Sequence, residues 1–211
     1  MAQFFSLVPE SPQPRLIRQA ANIVRGGGLI AFPTDSAYAL GGHLGDAALL
    51  DRIRRLREVD LRHQFTLLCR DLSEIANFAR VDNVQYRILK ANTPGPFSFI
   101  LEATRELPRR VLHPKRKTIG IRVPEHPVVG ALLEELGEPL LSSTLLLPGE
   151  ETPLTDAWEI RERLEKELDL VIEAGGCRPE ATTVIDLSNG TPVLLRKGCG
   201  SLEPFGLAAS C

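Results

Sequence analysis

Residues 29–36 read Leu29-Ile30-Ala31-Phe32-Pro33-Thr34-Asp35-Ser36, and the fold is best worked out from this stretch. Its first four residues are apolar and predict a short buried strand. Pro33 ends that strand, and the turn after it carries two hydroxyls and a carboxylate. α/β proteins place ligands at the ends of such strands. The same residue types also favour ordinary turns, so the motif alone does not identify a site.

The composition is that of an ordinary globular protein. The chain has 211 residues, of which 43% are hydrophobic and 25% charged, and its net charge is −2. This length and hydrophobic content predict a single domain over residues 1–211, with its core at about 13–198. The net charge excludes a globally basic nucleic-acid binder, so any such role needs a local patch.

Neither a membrane span nor a signal peptide is predicted. No apolar run approaches the roughly 20 residues that a span needs. The cysteines, at positions 69, 177, 199 and 211, form no C-x-x-C pair, which favours neither a zinc site nor a disulfide framework. We therefore expect no metal site and a reduced, cytoplasmic protein in which Cys69 is a core thiol.

Helices and strands alternate along the chain, but not as a strict strand–helix–strand series. Helices are predicted at 15–25, 47–57 (capped by Asp46), 82–90, 127–136 and 158–168, with a short one from Asp71 or Ser73. Strands are predicted at 4–8, 29–32, 65–69, 97–103, 118–123, 139–144, 170–173, 183–187 and 193–196. On the first helix, the apolar stripe is Leu16, Ala20, Ile23 and Val24. The pattern predicts a mixed α/β fold in which helices flank a twisted mixed sheet.

Hydroxyl and guanidinium groups recur at the predicted strand ends. They are Thr34, Ser36, Thr118, Arg122, Ser142, Ser143, Thr144, Thr182, Thr183 and Arg196. Arginine offers a planar fork of donors and hydroxyls add short polar contacts, so together they suit a phosphate or carboxylate ligand. Any one of them alone is better explained as a turn residue or a surface charge. Their repetition is what favours a shared site.

Two basic clusters stand apart in the sequence. The first comprises Arg52, Arg54, Arg55, Arg57, Arg62 and His63, and the second Lys115, Arg116 and Lys117. Concentrated cations attract the phosphates of a nucleotide or of RNA. A solvated helix face, balanced by Asp51 and Glu58, explains the first cluster equally well. No aromatic residue lies among the cations of the first cluster. This argues against binding of single-stranded nucleic acid, which needs aromatic stacking, and leaves binding of duplex RNA open.

Familiar catalytic motifs are absent from the sequence. It contains no phosphate-binding loop, no dinucleotide fingerprint and no zinc-protease motif. The histidines, at positions 43, 63, 113 and 126, lack the spacing of metal ligands. We expect each of them to be a surface or turn residue.

Several motifs occur in an order that resembles a known family. They are Gly27–Ser36, Arg54-Arg55-Leu56-Arg57, Thr93–Phe99, Ile119–Pro124 and Pro139–Thr144. This order is similar to that of the YrdC family. Lys115–Gly120 and Thr182–Asp186 bring the chain closest to its YciO-type branch. The resemblance covers nearly the whole chain.

The resemblance implies a twisted mixed sheet around a large, positively charged concave cavity. It implies synthesis of threonylcarbamoyl-adenylate from L-threonine, bicarbonate and ATP, with Mg²⁺ present and pyrophosphate released. That product feeds the N6-threonylcarbamoyladenosine modification of tRNA. Relatives also bind double-stranded RNA, so the alternative is an RNA- or tRNA-binding paralogue with little or no synthase activity.

The resemblance also implies roles for individual residues. Thr34, Thr118 and Arg122 would bind threonine, and Arg57 and Arg122 would be catalytic. The nucleotide-binding residues would be Arg54, Arg57, Ser142, Thr144, Thr182 and Arg196. The candidates for RNA binding are Arg54, Arg55, Arg62, Lys115, Arg116 and Lys117.

Two positions depart from the family pattern. Synthases carry K-x-R where this chain has Arg57-Glu58-Val59, and S-x-N where it has Thr144-Leu145-Leu146. The chain thus lacks a second cation at Val59 and has an apolar side chain in place of an amide at Leu146. Each change is expected to cost about 2–4 kcal/mol of transition-state stabilisation. Arg62 is a candidate to supply the missing charge.

Overall fold

The apolar run at 29–32 lies in a strand that is buried on both faces, in a computed structural model that describes residues 1–207. Leu29 and Ala31 belong to one apolar cluster, whereas Ile30 and Phe32 belong to another. The alternation follows from the two-residue period of a strand. Because both faces are apolar, the strand must lie inside a sheet with helices on either side.

Ten strands form that sheet. They are β1 (Gln3–Ser6), β2 (Ile30–Phe32), β3 (Ala39–His43), β4 (Thr66–Leu68), β5 (Phe97–Glu102), β6 (Thr118–Arg122), β7 (Leu140–Thr144), β8 (Leu170–Glu173), β9 (Thr183–Asp186) and β10 (Val193–Arg196). Their order is β1-β8-β2-β3-β7-β4-β6-β5-β9-β10. The sheet contains parallel pairs, such as β4 with β6, and antiparallel pairs, such as β3 with β7. The sheet is therefore mixed, as predicted.

Six helices cover the two faces within the described residues. They are α1 (Pro14–Arg25), α2 (Ala47–Arg57), α3 (Leu72–Phe78), α4 (Asn83–Asn92), α5 (Pro127–Leu136) and α6 (Ala157–Leu164), with short 3-10 turns at Arg109–Val111 and Glu203–Phe205. Helices α1 and α5 share one apolar cluster, and the other four helices contribute to the second. The single-domain α/β prediction is confirmed.

The side chain of Asp46 begins α2, the helix that carries Arg57. Asp46 Oδ1 accepts hydrogen bonds from the amides of Ala48 and Leu49 at 2.8 and 3.3 Å, so α2 starts where the sequence predicts. The helix ends at Glu58, which adopts the left-handed conformation with φ 49°. Arg57 therefore occupies the last helical position, where the chain turns away.

Strand β3 was not predicted, because Gly41 and Gly42 lower strand propensity. A Cβ on Gly41 would lie 2.8 Å from the Phe32 ring, and one on Gly42 would lie 2.6 Å from Leu49. The glycines thus allow β3 to pack closely against its neighbours.

Two smaller predictions about the helices were wrong. On α1 the fully buried residues are Ile17, Ala20, Ala21 and Val24, so the stripe is rotated from the predicted one. Leu16 and Ile23 are only partly buried at its margin. Helix α6 ends at Leu164 instead of 168, and a turn follows it.

Two of the sequence expectations concern cysteines and membranes. Cys69 is fully buried, and burial raises the pKa of its thiol, as expected of a core residue. Cys211 lies outside the described residues.

No helix within residues 1–207 is long and apolar enough to cross a membrane.

Candidate functional site

Seven of the ten predicted strand-end groups line a cavity of about 230 Å³. Its polar wall comprises Ser36, Arg57, His63, Gln64, Thr66, Ser98, Arg122, Ser142, Ser143, Thr144, Thr182 and Arg196. These residues come from the β2–β3 turn, the end of α2, the segments before β4 and β9, and strands β4, β5, β6, β7 and β10. Residues distant in sequence therefore meet because the strand order brings their ends together.

One corner of the cavity is built on a buried ion pair. Arg122, at the end of β6, is 6% exposed and donates to Asp35 Oδ1, and also to Thr34 Oγ1 at 3.3 Å. Burial lowers the pKa of Arg122, and the Asp35 charge opposes that effect. Asp35 Oδ2 and Arg122 Nε have no hydrogen-bond partner among residues 1–207. This corner therefore presents a fixed guanidinium whose charge is already balanced.

Thr34 supports this corner from behind the wall. Its hydroxyl donates to the Ala37 carbonyl at 2.7 Å and accepts from the Ser36 amide at 3.1 Å. Thr34 is 3% exposed and does not line the cavity, whereas Ser36 does. At this turn the Ser36 hydroxyl thus faces the cavity, and the Thr34 hydroxyl stabilises the turn that positions Ser36.

At the opposite corner, the partners of the Arg57 guanidinium are uncharged groups. Arg57 Nη1 lies 3.0 Å from His63 Nε2 and also donates to Ser143 Oγ, and its Nε donates to the Leu146 carbonyl at 3.2 Å. His63 Nε2 is 2.9 Å from Ser143 Oγ. Burial, and then the charge of Arg196, lowers the pKa of Arg57 to about 10.

His63 is neutral in this corner. A guanidinium can only donate, so Nε2 must accept from Arg57 and the ring proton belongs on Nδ1. Burial, followed by the charges of Arg57, Arg54 and Arg196, lowers the pKa of His63 to about 4. The sequence grouped His63 with surface cations, whereas the structure makes it an uncharged wall residue. The sequence does offer one sign of this role, because His63 lies just before strand β4, and the ends of strands form the cavity wall.

A third arginine closes the cavity on the β9–β10 side. Arg196 Nε and Nη2 donate to the Thr182 carbonyl at 3.2 and 3.1 Å, and Thr182 Oγ1 lies 2.9 Å from Ser98 Oγ. Burial is the main cause of the lowered pKa of Arg196. A register shift in β10 between Leu194 and Arg196 accompanies the turn of this side chain into the cavity.

An outer groove of about 430 Å³ continues from the cavity. Arg57, Thr144 and Arg196 line both spaces. Leu146, one of the two departures from the family pattern, lines only the outer groove. The inner cavity is smaller than a typical ligand pocket of about 300–1,000 Å³, so a nucleotide would need both spaces.

Four residues singled out from the sequence do not line the cavity. Thr118 is buried, and its hydroxyl lies 3.4 Å from Gln64 Oε1 behind the wall. Arg54 donates to the Arg110 carbonyl at 3.4 Å, and its guanidinium lies 5.4 Å from the centre of the Phe65 ring. Val59 and Arg62 line neither the cavity nor the groove. Arg62 therefore does not replace the missing second cation.

The remaining basic residues lie on the outer surface. Arg55, Arg62, Lys115, Arg116 and Lys117 are exposed. Arg116 pairs with Asp186 at 3.2 Å. Burial, and then the charges of Arg116, Arg62 and Lys115, lowers the pKa of His113. Arg62, Lys115 and Arg116 thus all act electrostatically on His113, although about fifty positions separate Arg62 from the other two in sequence.

No group of three or more potential metal-binding side chains is found within residues 1–207. The inner wall carries arginines, hydroxyls, one amide and one imidazole, and none of its described residues is a carboxylate. Glu151 and Glu180 lie in the outer groove. The wall therefore suits an anionic ligand and does not provide the oxygen ligands that Mg²⁺ prefers.

The fold and this wall define an α/β protein with a cavity at its strand ends that is lined by arginines and hydroxyls. The chain belongs to the Sua5/YciO/YrdC family, whose model, described as "Telomere recombination", matches residues 22–198.

Known proteins of this family match over most of the chain. YciO of Escherichia coli is 54% identical over 97% of this chain and 100% of its own, and its crystal structure matches with a TM-score of 0.94. A threonylcarbamoyl-AMP synthase of Nitrosococcus oceani is 29% identical over 74% of this chain and 84% of its own. Sua5 of Pyrococcus abyssi complexed with L-threonine matches at 26% identity, TM-score 0.87, covering 95% of this chain and 58% of Sua5. The predicted family and fold are confirmed.

Proposed function

We propose that this chain joins L-threonine, bicarbonate and ATP to form threonylcarbamoyl-adenylate and releases pyrophosphate. The observation that carries the proposal is the convergence of Arg57, Arg122 and Arg196 on one hydroxyl-lined cavity. Membership of a family that contains threonylcarbamoyl-AMP synthases supports it. We assign the reaction to the cytoplasm, where ATP and tRNA are available.

The two connected spaces suit the two larger substrates. L-Threonine would occupy the inner cavity with its carboxylate on Arg122, since a guanidinium fork matches a carboxylate. ATP would occupy the outer groove, with its phosphates facing Arg57 and Arg196. Thr34 and Thr118 would act from behind the wall, by holding Ser36 and Gln64 in place.

Catalysis in this arrangement consists of placing charges. The carbamate of threonine would attack the α-phosphate, and negative charge would build up on the leaving pyrophosphate. Arg57 and Arg196 are the cations placed to stabilise that charge. Ser142, Thr144 and Thr182 would add donors to the nucleotide. Magnesium would enter with ATP, because the described wall supplies no carboxylate ligand for it.

The test is release of pyrophosphate by purified protein. With ATP, L-threonine, bicarbonate and Mg²⁺ together we expect release above blank, and omission of any one substrate should abolish it. Arg122→Lys keeps the charge but not the planar fork, so it should weaken threonine binding measured by calorimetry. Arg18→Ala, an exposed α1 arginine far from the wall, is the matched control. Absence of pyrophosphate from wild-type protein contradicts the proposal.

A second candidate function is binding of double-stranded RNA or tRNA. It rests on the exposed cations Arg62, Lys115 and Arg116, whose charges all act on His113. Gel-shift affinity for duplex RNA should fall steeply with salt. The double variant Arg62→Ala, Lys115→Ala should reduce the salt slope by about two, since each phosphate contact contributes about one. Binding that is insensitive to salt, or equal in variant and wild type, contradicts it.

A further inference from the structure

The reaction proposed above needs a proton acceptor, and the cavity wall offers few. A threonine ammonium must lose a proton before its nitrogen can bond to carbon. The titratable groups on the wall are Tyr38, His63 and the three arginines. The Tyr38 hydroxyl donates to the Ile172 carbonyl at 3.1 Å, and burial raises its pKa. Arginines hold their protons at neutral pH, which leaves His63 among the described wall residues.

The hydrogen bonds around His63 form a path for that proton. Nε2 carries no proton, because it accepts from Arg57. The Ser143 hydroxyl receives a hydrogen bond from Arg57, and Nε2 lies 2.9 Å away. The Ser143 proton and Arg57 therefore share the single Nε2 lone pair, and proton transfer to Nε2 displaces the hydrogen bond from Arg57. Ser143 also lines the cavity, where it can reach a bound ligand.

We propose that Ser143 and His63 form a proton relay that takes a proton from the amine of the amino-acid substrate. The relay rests on the proposed function. The ammonium N–H bond breaks and its proton passes to Ser143 Oγ, while the Ser143 proton passes to His63 Nε2. The freed lone pair then bonds to the carbon of bicarbonate, and water leaves as the carbamate forms. Ser143 touches the substrate, and His63 acts through it.

Substrate binding improves His63 as an acceptor. The charged groups that face it are Arg54 and Arg57 from α2, Asp60 from the following loop, and Arg196 from β10. Besides burial, the three arginines disfavour the imidazolium. An anion bound against Arg57 and Arg196 opposes two of those charges, which raises the pKa of His63. A protonated Nε2 also stops accepting from Arg57, which releases that guanidinium toward the bound anion.

The experiment measures pyrophosphate release as a function of pH for wild type, His63→Gln and Ser143→Ala. At about pH 7 we expect each variant to lose about 100-fold in rate. At about pH 9.5 much of the threonine amine is already neutral, so the loss should shrink to less than about fivefold. Ratios to wild type at each pH cancel changes in bicarbonate. His43→Gln, a histidine on β3 outside the wall, is the matched control and should follow wild type.

The outcomes separate the relay from the proposed function. Wild-type protein without pyrophosphate release overturns both. Active wild type with variant losses that are equal at all pH values, or absent, overturns the relay alone. If His63→Gln fails to fold by circular dichroism, Ser143→Ala carries the same test, because it keeps the imidazole. In NMR titrations of wild type, inorganic pyrophosphate should raise the pKa of His63, and an unchanged pKa contradicts the coupling.

Discussion

The two arginine corners of the cavity are held in opposite ways. Arg122 is paired with the buried carboxylate of Asp35, whereas Arg57 is surrounded by a neutral imidazole, a hydroxyl and a carbonyl. The first corner is balanced without a ligand, and the second carries a net positive charge. A balanced guanidinium gives direction to a bound carboxylate, and an unbalanced one supplies charge. In the proposed reaction, orientation of the substrate and stabilisation of charge would therefore fall to different corners of one cavity.

The largest expected effect comes from breaking the balanced corner. Asp35→Ala leaves the Arg122 guanidinium buried without its carboxylate. We expect the free energy of unfolding in urea to fall by about 3–5 kcal/mol. Asp51→Ala, which removes the exposed carboxylate 3.4 Å from Arg54, is the control and should lose far less. Equal losses in the two variants would show that Asp35 does not balance Arg122.

Breaking the unbalanced corner should affect activity instead of stability. Arg57→Ala strands no carboxylate, so its unfolding free energy should change little. Pyrophosphate release should fall by about 10²–10³-fold, the usual effect of losing one charge-stabilising group. Arg18→Ala again serves as the control. A variant that loses stability as Asp35→Ala does, with its activity intact, would contradict the contrast between the corners.

Acid should weaken the unbalanced corner through His63. The folded-state pKa of this histidine is lowered to about 4, below its ordinary 6.5. The unfolded chain therefore binds the proton more tightly, and stability falls as pH drops from about 6.5 towards 4. Between about pH 7 and pH 5 the loss should be about 2 kcal/mol. The free energy of unfolding of His63→Gln, measured in urea, should lack this pH-dependent loss. If its free energy of unfolding depends on pH as that of wild type does, His63 is not the cause of the loss.

The smallest expected effect is a gain. Leu146→Asn combined with Val59→Arg restores the polar pair that the family resemblance implies. It should raise pyrophosphate release about threefold to tenfold, less than the sequence alone suggests, because Val59 lines neither the cavity nor the groove. Most of the gain should come from Leu146→Asn alone, because Leu146 lines the outer groove and Val59 does not. No gain in the double variant would mean that these positions do not limit the rate.

Much of the fold follows from local sequence signals. The apolar run at 29–32 and the capping residue Asp46 predict their elements correctly, because each depends on neighbours in the chain. Strand β3 was missed because Gly41 and Gly42 are selected by close packing and not by backbone preference. Packing against distant residues cannot be read from a local pattern.

The site could be predicted in its residue types but not in their directions. Ser142, Thr144, Thr182, Arg57, Arg122 and Arg196 all line the cavity, and their predicted roles there stay predictions. Thr34 and Thr118 lie behind the wall because other protein groups engage their hydroxyls. The neutrality of His63 depends on burial and on three arginines that approach from two elements. These properties arise only when the strand order is known.

The closeness of Arg57 and Arg196 has a consequence for the fold as a whole. Arg57 is partly buried, and the charge of Arg196 disfavours the charged form of Arg57. The two guanidinium charges therefore repel each other within the cavity wall. An anion bound between the two arginines, as the proposed function requires, would reduce that repulsion and add binding free energy to the folded state alone. On the proposed function, the ligand-bound domain would therefore be more stable than the ligand-free one.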